Sequence, residues 1–117
     1  MPRDIVILTS RPPDLAALVT AGADLAPELG VRAVEDGAVL QLCLDDGRAV
    51  ISLAGPKTVE NPHEVARLTR GTVGPVSSPV FWTEAWVPWG PHADVGVEIA
   101  LALASALGGT CVVEDGS

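Results

Sequence analysis

The sequence predicts an α+β domain, a two-layer sandwich with one largely antiparallel sheet and two main helices on one face. Three observations carry that expectation. Short β-type runs are separated by tight-turn dipeptides, two longer stretches have helical spacing, and the order along the chain is β-α-β-β-β-(α)-β-α-β. Strands joined by tight turns pair antiparallel, and helices with an apolar stripe bury it against such a sheet.

Ile5 to Thr9 (IVILT) is a continuous apolar, β-branched run, the mark of a strand covered on both faces. Ser10 offers a cap behind it, and Pro12 and Pro13 suit a first helical turn. Leu15, Leu18, Gly22, Leu25 and Leu29 recur at three and four, so one stripe is expected to face the core. Pro27 kinks or ends that helix.

Asp36-Gly37 and Asp46-Gly47 are hairpin turns between strands read at Val31–Val34, Ala38–Leu44 and Arg48–Ala54. In the middle strand Leu40, Leu42 and Leu44 share one face, with Gln41 and Cys43 on the other. GPKTVENP (55–62) reads as a loop. Asn61, Pro62 and Glu64 then spell a cap, a first-turn proline and a capping-box acid for a short helix to about Thr69. GTVGPVSSP (71–79) is rich in turn formers and reads as a flexible loop.

An aromatic strand follows, and Gly90-Pro91 opens a second long helix to roughly Leu107. Gly108-Gly109 stop it, Thr110 to Glu114 form a last strand, and 114–117 is a short tail. VGVEIALALA alternates like a strand, but its alanine content, length and terminators favour helix. Val95, Ile99, Leu103 and Leu107 make one stripe, with Val97 and Leu101 nearly opposite. Such a helix is either sandwiched or meets another chain, and Gly96, Ala100 and Ala104 allow close backbone approach.

A chain of 117 residues is one domain's worth, so 1–117 is read as a single globular domain. Nearly half the residues are hydrophobic, mostly Ala, Val and Leu, so the core is built from small pieces. MPRDIVILTS does not look like a targeting signal, and the longest apolar stretch, Ile99 to Ala104, is far below the roughly 20 residues of a membrane span. A soluble, cytoplasmic protein is expected, with Cys43 and Cys111 as free thiols.

Charge is informative. The net charge of −8 argues against nucleic acid as a partner, because phosphates are held by cations. From Val80 to Ser117 the acids are Glu84, Asp94, Glu98, Glu114 and Asp115, with no Lys or Arg. Only Lys57 to Arg70 is locally basic. Acidity on this scale keeps a protein soluble, and it also steers cationic partners.

Known chemical motifs are mostly absent. GPKT (55–58) lacks the glycine and Gly-Lys adjacency of a phosphate loop, and Gly108-Gly109 ends a helix rather than opening one. His63, His92, Cys43 and Cys111 are scattered, whereas zinc ligands pair locally, so neither metal nor cofactor is expected. Thr9, Ser10 and Arg11 could present an anion to a helix start, although a plain N-cap explains Ser10 as well. Cys43 with either histidine is a bare pair of residue types, and Glu84 could serve as acid or base if desolvated between two indoles. No catalytic constellation stands out, and a non-enzymatic protein is expected.

One feature is unusual. Every aromatic residue of the chain, Phe81, Trp82, Trp86 and Trp89, lies within VFWTEAWVPWGPH. As a strand, Phe81, Thr83, Ala85 and Val87 share a smooth apolar face, and Trp82, Glu84 and Trp86 share the other. A glutamate is almost never buried without a partner, so the tryptophan face is expected to be the one the helices leave open. Two explanations stand side by side. In one, loops at 55–62 and 71–79 fold across the indoles as a mini-core, with Arg67 or Arg70 pairing Glu84. Alternatively, Trp82, Glu84, Trp86, Trp89 and Asp94 recognise another protein, tryptophan being enriched at binding hot spots.

The sequence therefore points first to an acidic protein-binding module with a basic partner. A specific form is an inhibitor of the immunity or antitoxin type, directed at a basic nuclease-like toxin. Two other classes stay open: a small-molecule binder or enzyme with a pocket beside Trp86 under the 71–79 loop, containing Cys43 or Gln41, and a homodimeric structural subunit joined through Val97 and Leu101.

Overall fold

The structure is a computed structural model that describes residues 3–59 and 80–114. The expected short helix before Thr69, the 71–79 loop, His63, Arg67, Arg70 and the end of the tail lie outside the described residues. Among those residues the chain forms one open sheet of seven strands with two helices, a two-layer α+β sandwich. The strands are β1 (Arg3–Thr9), β2 (Gly30–Val34), β3 (Val39–Cys43), β4 (Ala49–Ala54), β5 (Lys57–Val59), β6 (Val80–Val87) and β7 (Thr110–Glu114). The helices are α1 (Leu15–Leu25) and α2 (Ala93–Ala106). The strand order is β2-β3-β4-β6-β1-β7, with β5 also on β6, and every pairing is antiparallel.

β1 is buried from Ile5 through Thr9, as its unbroken apolar run demands, and it lies between β6 and β7. Beyond Ala54 the sequence reads as loop, but Lys57–Val59 pair with Trp82, Phe81 and Val80. β4 and β5 thus run along the same edge of β6, interrupted at Gly55-Pro56, where proline removes a ladder donor. The β-branched pair Thr58-Val59 then resumes the strand, a local preference masked by the turn formers around it.

Helix α1 starts later than Ser10. Its N-cap is Asp14, whose Oδ1 accepts a hydrogen bond from the Ala17 amide at 2.8 Å. The prolines explain the delay, since a residue preceding proline is pushed out of the helical region, and here that restricts both Arg11 and Pro12. Ser10 and Arg11 serve the other helix instead. The Ser10 hydroxyl donates to the Leu107 carbonyl at 3.1 Å, and Arg11 Nη2 donates to the Ala106 carbonyl at 2.9 Å. They satisfy carbonyls left unpaired at the end of α2, and the arginine is the sign its dipole favours there. Leu18, Ala21 and Gly22 carry the buried face of α1, whereas Leu15 and Leu25 are exposed. Of the expected stripe, Leu18 and Gly22 are buried, and Leu29, beyond the end of the helix, packs partly against the core.

Both helices pack on one face of the sheet. Ile5, Ile7, Leu42, Ile51, Leu53, Ala85 and Val87 lie under Leu18, Ala21, Ile99, Ala100, Leu103 and Ala104, and this core contains no aromatic residue. Small side chains set the layer spacing. A Cβ on Gly96 would lie 2.7 Å from both the Val50 carbonyl oxygen and Val87 Cγ1. At Gly109 a Cβ would fall 1.8 Å from the Leu8 carbonyl oxygen, so the exit from α2 passes directly over β1. Of the second apolar face of α2, Val97 packs at the edge of the core, and Leu101 is 49 % exposed.

Gly96→Ala is expected to destabilise the fold by up to about 2 kcal/mol net, an overpacking cost of about 1–3 kcal/mol less the roughly 1 kcal/mol of helix propensity that alanine adds. Urea denaturation measures this directly. Equal or greater stability for the variant would mean that α2 is not held so close to β4 and β6.

Candidate functional site

The face of the sheet opposite the helices is set by β6. Thr83, Ala85 and Val87 are buried beneath the helices, so alternation sends Trp82, Glu84 and Trp86 the other way. Both indoles are half-buried and Glu84 is exposed. Trp82 packs with Val6, Leu8, Val80 and Val59 in a second, small apolar cluster on this face. Trp86 borders a cavity of about 180 Å³ whose other lining residues include Asp4, Val6 and Glu84. Two carboxylates and an indole edge thus meet at one depression. The pocket the sequence suggests beside Trp86 involves the 71–79 loop, which lies outside the described residues.

The register extends this face across the sheet. Arg32 pairs with Gln41, Gln41 with Ser52, Ser52 with Trp86, Trp86 with Asp4, and Asp4 with Glu114. Side chains follow the first part of that row. Arg32 Nε donates to Gln41 Oε1 at 2.7 Å, and Gln41 Nε2 donates to the Ser52 hydroxyl at 2.9 Å. The row is cationic at the β2 edge and acidic at Asp4. Lys57 stands opposite Trp82, two rows further along the same face. Arg32, Ser52 and Asp4 escape a reading of the sequence because they lie on different strands, and only strand order brings them into line.

Trp89 and Asp94 occupy another place. Trp89 is 50 % exposed in the turn after β6, with the Arg3 guanidinium over its ring at 4.6 Å from the centroid. It lines a cavity that shares no residue with the one beside Trp86. Asp94 is exposed in the first turn of α2, where a negative charge suits the helix dipole. Near that cavity the Arg48 backbone amide donates to Asp46 at 2.9 Å and its Nε donates at 2.7 Å. The amide bond, with the guanidinium beside it, holds the Asp46 carboxyl below its ordinary value.

Cys43 and Cys111 are free thiols. Cys43 is buried, its Sγ 4.0 Å from Gln41 Oε1. Burial pushes the Cys111 thiol up, the opposite of what activates a nucleophile. Glu84 lies exposed. Among the described residues no three of His, Cys, Asp and Glu come together as a metal site, and no helix is long and apolar enough to cross a membrane. Comparison of the chain with family models, with curated proteins and with solved structures returns no match.

The raised Cys111 thiol has a consequence for stability. Its folded pKa exceeds its unfolded one, so the unfolded chain loses the proton first as pH rises. The contribution is complete below the ordinary thiol value and is lost as pH climbs through the raised one. Unfolding midpoints measured from neutral to alkaline pH are expected to fall less steeply for Cys111→Ala than for the parent. Identical slopes would contradict the burial of this thiol.

Proposed function

We propose that this chain is a non-enzymatic binding protein that holds a basic protein partner on the sheet face opposite α1 and α2. The observation that supports this reading is the pair of half-buried indoles, Trp82 and Trp86, flanking the exposed carboxylate of Glu84, with Asp4 adjoining the same depression. Partly buried indoles lose little conformational freedom on binding and offer large contact area, which is why tryptophan recurs at hot spots. Carboxylates beside them favour a cationic partner and penalise an acidic one. The overall charge of −8 raises the encounter rate in the same direction.

The specific form of the proposal is an inhibitor of the immunity or antitoxin type. A basic nuclease-like toxin must carry a cationic cleft for its substrate's phosphates, and an acidic face bearing two indoles suits such a cleft. The binding surface is centred on Asp4, Trp82, Glu84 and Trp86. Trp89 and Asp94 contribute only where the partner reaches past the end of β6.

The test uses two baits, the parent protein and a Trp82→Ala/Glu84→Lys variant, in parallel capture from native extract. Neither residue belongs to the main core, and circular dichroism checks the fold of the variant. A partner held by the parent is expected to bind the variant at least about tenfold more weakly, since each hot-spot residue contributes about 2 kcal/mol or more. The parent's affinity is also expected to fall as salt rises. A specific partner held equally by both baits would place the interface elsewhere.

A further inference from the structure

The turn between β3 and β4 meets the start of α2 around a cavity of about 270 Å³. Leu44, Val50, Pro88 and Trp89 contribute apolar wall, and Arg48 and His92 are its cationic or ionisable members. Ligand sites have this composition, mostly apolar with a few convergent polar groups, and drug-sized ones begin near about 300 Å³. A cavity just under that size suits a molecule of one or two rings.

The walls are preset. Pro88 and Pro91 bracket Trp89-Gly90 and fix two backbone angles, while Gly90 turns the chain at φ +144°, a conformation other residues rarely adopt. Arg3 stacked on the Trp89 ring restrains the indole. A wall ordered before binding costs the complex less entropy.

The polar side is suited to an anion. Arg48 spends its Nε on Asp46, and a guanidinium carries four further N–H donors on its two terminal nitrogens. That side chain is 69 % exposed and free to turn its fork to a ligand. Asp46, the acid nearest to it, is already engaged by the Arg48 amide and guanidinium. His92 begins α2, and no side chain caps the first amides of that helix, which adds partial positive charge to the same wall. Asp94, in the first turn of the helix, is exposed and absent from the lining. In a chain of net charge −8, Arg3, Arg48 and His92 gather at this corner.

We propose that this cavity binds a small aromatic carboxylate. Its ring lies against the Trp89 indole and the Leu44 and Val50 side chains, and its carboxylate is received by the Arg48 fork beside His92. The inference is independent of the sheet-face reading, since the two sites share no lining residue.

Amide and indole N–H spectra of the full chain, titrated with three probes of one shape, test it. The probes are indole-3-acetate, indole-3-acetamide and tryptamine, which are anionic, neutral and cationic. Indole-3-acetate is expected to shift the Trp89 indole N–H and the Val50 and His92 amides, and to bind about tenfold more tightly than the amide, as a charge-assisted hydrogen bond predicts. Arg48→Gln, at an exposed position, should abolish that preference while leaving the spectrum of the free protein otherwise intact, and His92→Ala should weaken it. Equal binding of the three probes, perturbation confined to Trp82 and Trp86, or no perturbation at millimolar probe would each overturn the proposal.

Discussion

The pairing of β6 with β1 and β4 is the constraint on which the rest of the molecule depends. Side chains on a strand alternate, so one register decides which half of VFWTEAWV lies under the helices. With Ala85 opposite Ile5 and Leu53, the helix side receives Thr83, Ala85 and Val87. A slip of one residue would send Trp82, Glu84 and Trp86 into a core built for alanine and valine, and would bury a carboxylate. The cost of the observed register is small. The Thr83 hydroxyl is buried without a hydrogen-bond partner, which is worth about 1–3 kcal/mol and is outweighed by keeping Glu84 in water.

The same logic explains why the core has no aromatic residue. α2 crosses the sheet with Gly96 almost touching the Val50 carbonyl, and Ala100 and Ala104 are buried further along the helix. Close layers leave no room for indoles between them. The three tryptophans are therefore found elsewhere, two on the open face and one in the turn that leads into α2. Each lies beside charge: Glu84 between the first two, and Arg3 on the ring of the third. An aliphatic core lies under the helices, and the tryptophans lie outside it, Trp82 in a smaller cluster with Val6, Leu8 and Val80.

Much of this was legible in the residues themselves. The unbroken IVILT run marks a strand buried on both faces, and the two faces of β6 follow from period two alone, whereas in β3 burial follows position along the strand rather than alternation, Leu42 and Cys43 both being buried. The alanine-rich stretch from Ala93 is helical despite its strand-like alternation, because length and glycine terminators outweigh local pattern. What was not legible depended on tertiary partners. β5 exists because β6 is long enough to pair with it past Gly55-Pro56, and Asp14 displaces Ser10 as a cap because two prolines hold the chain extended. Ser10 and Arg11 reach the end of α2 across more than ninety residues of sequence, as no local signal could announce. The acidic depression is a similar case. Glu84 is conspicuous between its tryptophans, but Asp4 joins it only through antiparallel register.

The proposed interface requires that the sheet face opposite α1 and α2 be an acidic, solvent-reached tryptophan surface. Collisional quenching of Trp86 fluorescence, in a Trp82→Phe/Trp89→Phe background, measures this most directly. Caesium ions should quench more strongly than iodide, because Asp4 and Glu84 attract the cation and repel the anion at low ionic strength. Weak quenching by both ions would mean that the indole is covered, and stronger quenching by iodide would mean that its surroundings are not acidic. Either result would contradict an acidic tryptophan interface on this face.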